Sequence, residues 1–170
     1  DVNKFQAYKA SIGATGVATV TAANSAVPGS YSLEVTQLAQ AQKLVAPGQT
    51  STSAAIGAGT LTFEFGTISG GVFAEVTGRY TAASFAAGGA GAKTVTIGAS
   101  GNTLAGIRDA INAARIGVTA SIVNDGSGTP YRLALSVADT GADKRLRISV
   151  AGDAALSSLI AHAPAPTLKL

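Results

Sequence analysis

The strongest constraint on the fold is a change of hydrophobic period between residues 103 and 150. Leu104, Ile107, Ile111 and Ala114 follow one another at spacings of three and four, which places them on one face of a helix. Apolar residues then alternate with polar ones in three further segments, which predicts three strands. Their apolar faces are Val118, Ala120 and Ile122; Leu133, Leu135 and Val137; and Leu146, Ile148 and Val150. The pattern predicts an α+β fold, with the helix 103–114 packed on antiparallel sheet.

Local signals at the ends of these segments agree with that arrangement. Asn102 or Thr103 can begin the helix, because a short side-chain oxygen accepts a first-turn amide hydrogen bond. Gly117 stands where a glycine commonly ends a helix. The glycine-rich segment 124–128 predicts a hairpin turn. It lacks the alternating acidic ligands of a calcium loop, so no metal site is expected there.

A second alternating segment lies near the N-terminus. Tyr31, Leu33 and Val35 share one face, which predicts a half-buried strand over residues 30–36. An Ala-rich segment with three glutamines, Gln37, Gln40 and Gln42, follows it. Neutral amides can form adaptable hydrogen bonds, so these three side chains are candidate subunit contacts. A solvated strand edge is the alternative interpretation.

The composition favours an extracellular β-rich domain over a cytosolic enzyme. Charged residues make up 12% of the chain, about half the usual share. Cysteine is absent, which excludes disulfides, thiolate metal sites and a cysteine nucleophile. The net charge is only +3 and the basic residues are scattered, which argues against nucleic-acid binding. No apolar run reaches the roughly 18 residues that a membrane span needs, so no membrane insertion is expected.

No set of residues predicts an active site or a cofactor site. His162, the one histidine, has no serine or carboxylate at a suggestive spacing, and we expect it to be a solvated residue at the end of a helix. The nine acidic residues are too dispersed to nominate a catalytic pair. The sequence therefore predicts a protein that is not an enzyme and that binds no metal or cofactor.

Two motifs resemble those of the flagellar filament cap proteins, the hook-associated protein 2 family. The first is the segment GSYSLEVTQLAQAQKL, residues 29–44. The second resembles the flagellin IN-type motif, named for the pair found here as Ile111-Asn112, and covers residues 103–136. Both motifs occur in the order that the family has. The resemblance implies an architectural role for Leu104, Ile107, Ile111, Asn112 and Gly117.

The resemblance also implies a function. A cap protein is exported by the flagellar type III route and acts outside the cell, at the tip of the flagellum. It forms a ring of identical subunits that retains flagellin and promotes its assembly. Flagellin and further copies of the chain are therefore the expected partners. An adhesin that binds host mucin or surface glycan, and another hook-associated or flagellin-like structural protein, are the alternatives.

The sequence divides into three parts by pattern. Residues 1–27 read as an extended arm of a neighbouring domain, and residues 28–150 as the β-rich domain. Residues 151–170 read as a tail leading back to a neighbouring domain, with a short helix that Asp153 can cap. In the resembled family, terminal helices outside these parts form the legs that enter the filament.

Overall fold

A computed structural model describes residues 8–14, 16, 18–35, 38, 40–74, 76 and 79–163. The chain divides into two compact units, Asp1–Leu38 and Ala39–Leu170. The observed boundary therefore comes after Leu38 rather than after Val27. Among the described residues, every helix and strand belongs to the second unit.

The first unit does not contain the strand that its alternation predicts. Residues 30–35 form neither strand nor helix, and the side chains of Tyr31, Leu33 and Val35 are 85%, 68% and 44% exposed. The predicted half-buried strand is therefore wrong; its last residue, Thr36, lies outside the described residues. Alternation indicates which residues a strand would bury, but a strand forms only where another strand accepts its backbone hydrogen bonds.

The second unit contains seven strands and two α-helices within its described residues. In chain order they are β1 Ala41–Val45, β2 Gly59–Ala74, β3 Arg79–Ala87, β4 Lys93–Ile97, α1 Leu104–Ala114, β5 Val118–Asn124, β6 Tyr131–Thr140, β7 Arg145–Gly152 and α2 Ala154–Ile160. The helix and the three strands predicted between residues 103 and 150 are confirmed. Leu61, Phe63 and Phe65 alternate with polar residues in the long strand β2, which has 16 residues.

The strands form two antiparallel sheets. One sheet has three strands in the order β1-β6-β5. The other is built on β2, whose first half pairs with both β4 and β7 and whose second half pairs with β3. The pairing with β7 ends at Gly66, so the remainder of β2 forms a two-stranded ribbon with β3.

Both helices and both sheets contribute to one hydrophobic core. Leu104, Ile107 and Ile111 of α1 are fully buried. They pack in one cluster with residues from both sheets: Leu61, Phe63, Val95, Ile97, Val118, Ala120, Leu133, Leu135, Val137, Leu146 and Ile148. Helix α2 adds Leu156, Leu159 and Ile160, so this part of the predicted tail belongs to the core of the compact unit. Residues 164–170 lie outside the described residues.

The ends of the helices show which residues stop them. The Thr103 Oγ1 accepts a hydrogen bond from the Gly106 N–H at 3.1 Å, which confirms one of the two predicted caps. At the other end the left-handed residue is Arg115, with φ 49° and ψ 43°, so Gly117 does not end the helix as predicted. Gly117, with φ 87°, lies instead in the link to β5, where its carbonyl accepts from the Ala138 N–H at 2.9 Å. Asp153 precedes α2 without capping it, because its Oδ2 accepts from the Ala58 N–H at 2.8 Å.

The burial of α1 gives a direct stability test. Ile111→Ala removes a fully buried side chain from the helix–sheet contact and leaves a cavity, so we expect a loss of about 2–5 kcal/mol in the free energy of unfolding. Urea unfolding followed by circular dichroism measures it. Val27→Ala, at a 78% exposed position, is the matched control and should change stability by less than about 0.5 kcal/mol. A loss for Ile111→Ala as small as that of the control contradicts the packing described here.

Candidate functional site

Asn112 of the IN-type motif attaches helix α1 to the edge of a sheet. Its Nδ2 donates to the Ala120 carbonyl at 2.9 Å, and its Oδ1 accepts from the Ala120 N–H at 2.8 Å. Strand β5 is the last strand of its sheet, so the backbone groups on its outer side have no neighbouring strand. The amide side chain binds them as a further strand would. The two motif residues therefore act together, since Ile111 buries its side chain in the core while Asn112 satisfies the strand edge.

The three candidate glutamines have different environments. Gln37 lies outside the described residues, and Gln40 is exposed. Gln42 is only 7% exposed, and its Oε1 accepts from the Leu146 N–H at 2.8 Å. The other end of its amide, Nε2, lies 3.3 Å from His162 Nε2. The amide of Gln42 is therefore used inside the chain, which corrects its assignment as a subunit contact.

His162 is not the solvated residue that the sequence predicts. Its ring is half-buried, and its backbone exchanges two hydrogen bonds with Ile148 of β7, at 2.8 and 2.9 Å. Burial lowers the pKa of the imidazole below its usual value, because charging the ring in a poorly solvated place is unfavourable. The helix α2 folds back on the core, and this carries the following residues against the edge of β7.

The turn between β5 and β6 is stabilised by backbone N–H groups that donate to its own side-chain oxygens. The Asn124 Oδ1 accepts from the Gly126 N–H at 2.9 Å, and the Asp125 Oδ1 accepts from the Ser127 N–H at 3.0 Å. Asp125 also pairs with Arg132 at the start of β6. The Arg132 hydrogen bond, together with those from Ser127, holds the pKa of the Asp125 carboxyl well below its usual range. The hairpin therefore accounts for the oxygen-rich sequence of this turn.

The described residues bring no catalytic constellation together. Within those ranges, no group of three or more histidine, cysteine, aspartate or glutamate side chains could hold a metal ion. Arg147 pairs with Glu64 of the neighbouring strand at 2.8 Å and lies over the Phe85 ring at 4.5 Å, so these charges link β7, β2 and β3. No described helix is both long enough and apolar enough to cross a membrane.

Sequence reasoning missed the role of Gln42, although the alternation of β1 gave part of the signal. In an alternating strand Gln42 shares a face with Leu44, which packs partly buried against the core. The ladder with β6 is irregular between Ala41 and Lys43, so Gln42 has no paired residue in β6 and its side chain bonds to β7 instead. The burial of a polar residue at this position depends on that irregularity, which the sequence pattern does not show.

The two hydrogen bonds of Asn112 can be separated by substitution. Asn112→Asp keeps an acceptor for the Ala120 N–H but places a carboxylate oxygen against the Ala120 carbonyl, so we expect a loss of about 1–3 kcal/mol at pH 7. Chemical unfolding measures it. Asn124→Asp is the matched control, because the contact of Asn124 with Gly126 needs only an acceptor and should survive. Equal effects of the two substitutions would show that the bidentate contact does not hold the helix.

Comparisons with known proteins agree on one family that the chain resembles. A family model described as "Flagellar hook-associated protein 2 N-terminus" matches residues 1–42. Flagellar hook-associated protein 2 of Escherichia coli O157:H7 is 35% identical over 164 residues, which cover 95% of this chain and 30% of that protein. The chain thus spans 30% of the length of this relative.

Solved structures agree with the sequence relatives. The chain is similar to the crystal structure of the D1-D2-D3 domains of the flagellar cap protein FliD from Escherichia coli, with a TM-score of 0.60 and 37% identity over 75% of this chain and 32% of that one. It is also similar to a structure of the D2-D3 domains from the same organism, with a TM-score of 0.58 and 36% identity over 78% of this chain and 58% of that one. The chain is therefore similar, over most of its own length, to flagellar hook-associated protein 2 and to the solved cap-protein structures.

Proposed function

We propose that this chain forms an outer part of a flagellar filament cap subunit, outside the cell at the filament tip. The observation that carries the proposal is its similarity to the FliD cap protein, at 37% identity over 75% of the chain. Two partners follow from this proposal: flagellin, which the cap retains and helps to assemble, and further copies of the same subunit. Export through the flagellar type III apparatus is part of the same proposal.

The proposed mechanism is steric and conformational. The core described above is a packed unit in which side chains bind the outer backbone groups of β5 and β7. Such a unit can meet flagellin and neighbouring subunits through its surface without adding strands to them. Gln40 stays a candidate subunit contact, because its side chain is exposed. Gln37 stays one from the sequence alone.

The exposed apolar side chains of the first unit are a second candidate contact surface. Val27, Tyr31, Leu33 and Leu38 are 78%, 85%, 68% and 75% exposed. Large apolar side chains that remain in water commonly mark interaction surfaces where several occur together.

The alternative function, binding of mucin or host glycan, has no support from the comparisons.

A chimera tests the proposed function. We expect that the Escherichia coli relative, with its matching segment replaced by this chain, will retain flagellin in a strain that lacks its own cap protein. Flagellin released into the medium and filament length are the two readouts. Retention requires only a compatible cap surface, so the released flagellin should fall well below the level of the cap-less strain.

The control chimera lacks the segment altogether, and detection of each chimera outside the cell establishes that it was exported. A full chimera that is exported and folded, yet releases as much flagellin as the cap-less strain, would contradict the proposal. A second chimera carrying Gln40→Arg tests the candidate contact, because a charge at an exposed contact position should raise flagellin release whereas a solvated position should tolerate it.

A further inference from the structure

Gln42 and His162 bring together the first strand of the second compact unit and the residues that follow α2. Gln42 lies in the first strand of the unit and His162 follows its last helix, 120 residues later. Both contact the outer edge of β7, Gln42 through the Leu146 N–H and His162 through the backbone of Ile148. Strand β7 pairs with β2 on its other edge, so these two residues satisfy backbone groups that no strand reaches.

The hydrogen bond to Leu146 fixes the orientation of the Gln42 amide. A backbone N–H can only donate, so the atom 2.8 Å from the Leu146 nitrogen must be the amide oxygen. The atom that faces His162 is then the amide NH2 group, which can only donate. His162 Nε2, at 3.3 Å, must therefore accept. A ring nitrogen accepts only when it carries no proton, so this contact requires a neutral ring with its proton on Nδ1.

Protonation of His162 would place two donors against each other. An imidazolium carries a hydrogen on each ring nitrogen, so Nε2–H would point at the NH2 group of Gln42. Rotating the amide by half a turn would satisfy the ring but would turn the NH2 group toward the Leu146 N–H. Because Gln42 is only 7% exposed, water cannot easily fill either gap. The contact therefore has one arrangement in which every group is satisfied, and it requires neutral His162.

The charged groups on the neighbouring elements do not compensate a proton on this ring. On β7, Arg147 is paired with Glu64, and it alternates with Leu146 and Ile148 and so lies on the other face of the strand, as does Arg145. On β1, Lys43 is exposed, whereas Gln42 is buried. Asp153, ahead of α2, accepts from the Ala58 N–H, and α2 itself carries no charged residue. Burial is the cause that lowers the pKa of His162.

We propose that Gln42 and His162 form a proton-sensitive clasp that holds β1 and the segment just after α2 on the edge of β7. The clasp is closed while His162 is neutral and opens when the ring takes up a proton. Opening frees the residues after α2 and the start of β1 from β7 and leaves α1 and the rest of the core in place. The inference does not depend on the proposed cap function, because it concerns only contacts inside the unit.

Nuclear magnetic resonance of the 170-residue chain tests the clasp directly. His162 is the sole histidine in the sequence, so its ring signals need no assignment. At pH 8 we expect the 15N shifts of the Nδ1–H tautomer, and on titration a midpoint below the ordinary value of 6.5. Protection of the Leu146 and Ile148 amides against hydrogen exchange should fall with the same midpoint, while that of the Ile107 amide in α1 should not. A ring with its proton on Nε2 at pH 8 would overturn the proposal.

Substitution of the partner should reverse the pH dependence. Gln42→Glu gives two acceptor oxygens, one for the Leu146 N–H and one for a protonated His162, so the midpoint of the ring should move above 6.5. Gln40→Glu adds the same charge at an exposed neighbouring position and is the matched control. If both variants shift the midpoint equally, the effect is general charge and the specific contact is wrong.

Stability gives an independent measurement. A folded-state pKa below the unfolded value means that the unfolded chain binds more protons, so stability should be full above pH 6.5 and should decline as the pH falls below it. We divide the unfolding equilibrium constant of the unsubstituted chain by that of His162→Gln. As the pH falls below 6.5, this ratio should rise by up to about tenfold for each pH unit. A ratio that is flat between pH 7 and pH 5 contradicts the proposal.

Discussion

The hydrogen-bonding needs of sheet edges determine how this protein is held together. Each outer strand presents N–H and C=O groups, and burying such a group without a hydrogen-bond partner destabilises the fold. In the second unit, two amide side chains from other elements bind such groups: Asn112 of α1 on β5 and Gln42 of β1 on β7. Both amides are short, neutral and able to donate and accept. They close the edges without the desolvation of a charge, which suits a chain with only 12% charged residues.

The core depends on those edges because it is built from two small sheets. The chain has 5% aromatic residues, and its fully buried side chains are aliphatic apart from Phe63. Aliphatic side chains of this size bury enough area only when several elements surround them. Helix α1 supplies one wall and β2 another, and the contact of Asn112 with Ala120 fixes the distance between the helix and the strand that follows it. In the IN-type motif, Ile111 therefore packs in the core while the adjacent Asn112 binds the edge of β5.

The sequence predicted the parts of the fold whose signals are local. The face of α1, its Thr103 cap and the alternation of β5, β6 and β7 depend on residues a few positions apart, and the structure confirms them. The strand at Tyr31 was wrong because alternation does not supply a partner strand. Gln42 and His162 were misjudged for a different reason, since their contact joins positions 120 residues apart through a register irregularity in β1 and the return of α2.

The position of Gln42 beside His162 brings the first strand of the second unit and the residues just after α2 to one place. A domain whose two connections to the rest of the chain lie side by side can be inserted into a loop of another domain, because the two ends of that loop then need not move far apart. The unit could then be exchanged between relatives, or lengthened at the exposed β2–β3 ribbon, with little change in the protein that carries it.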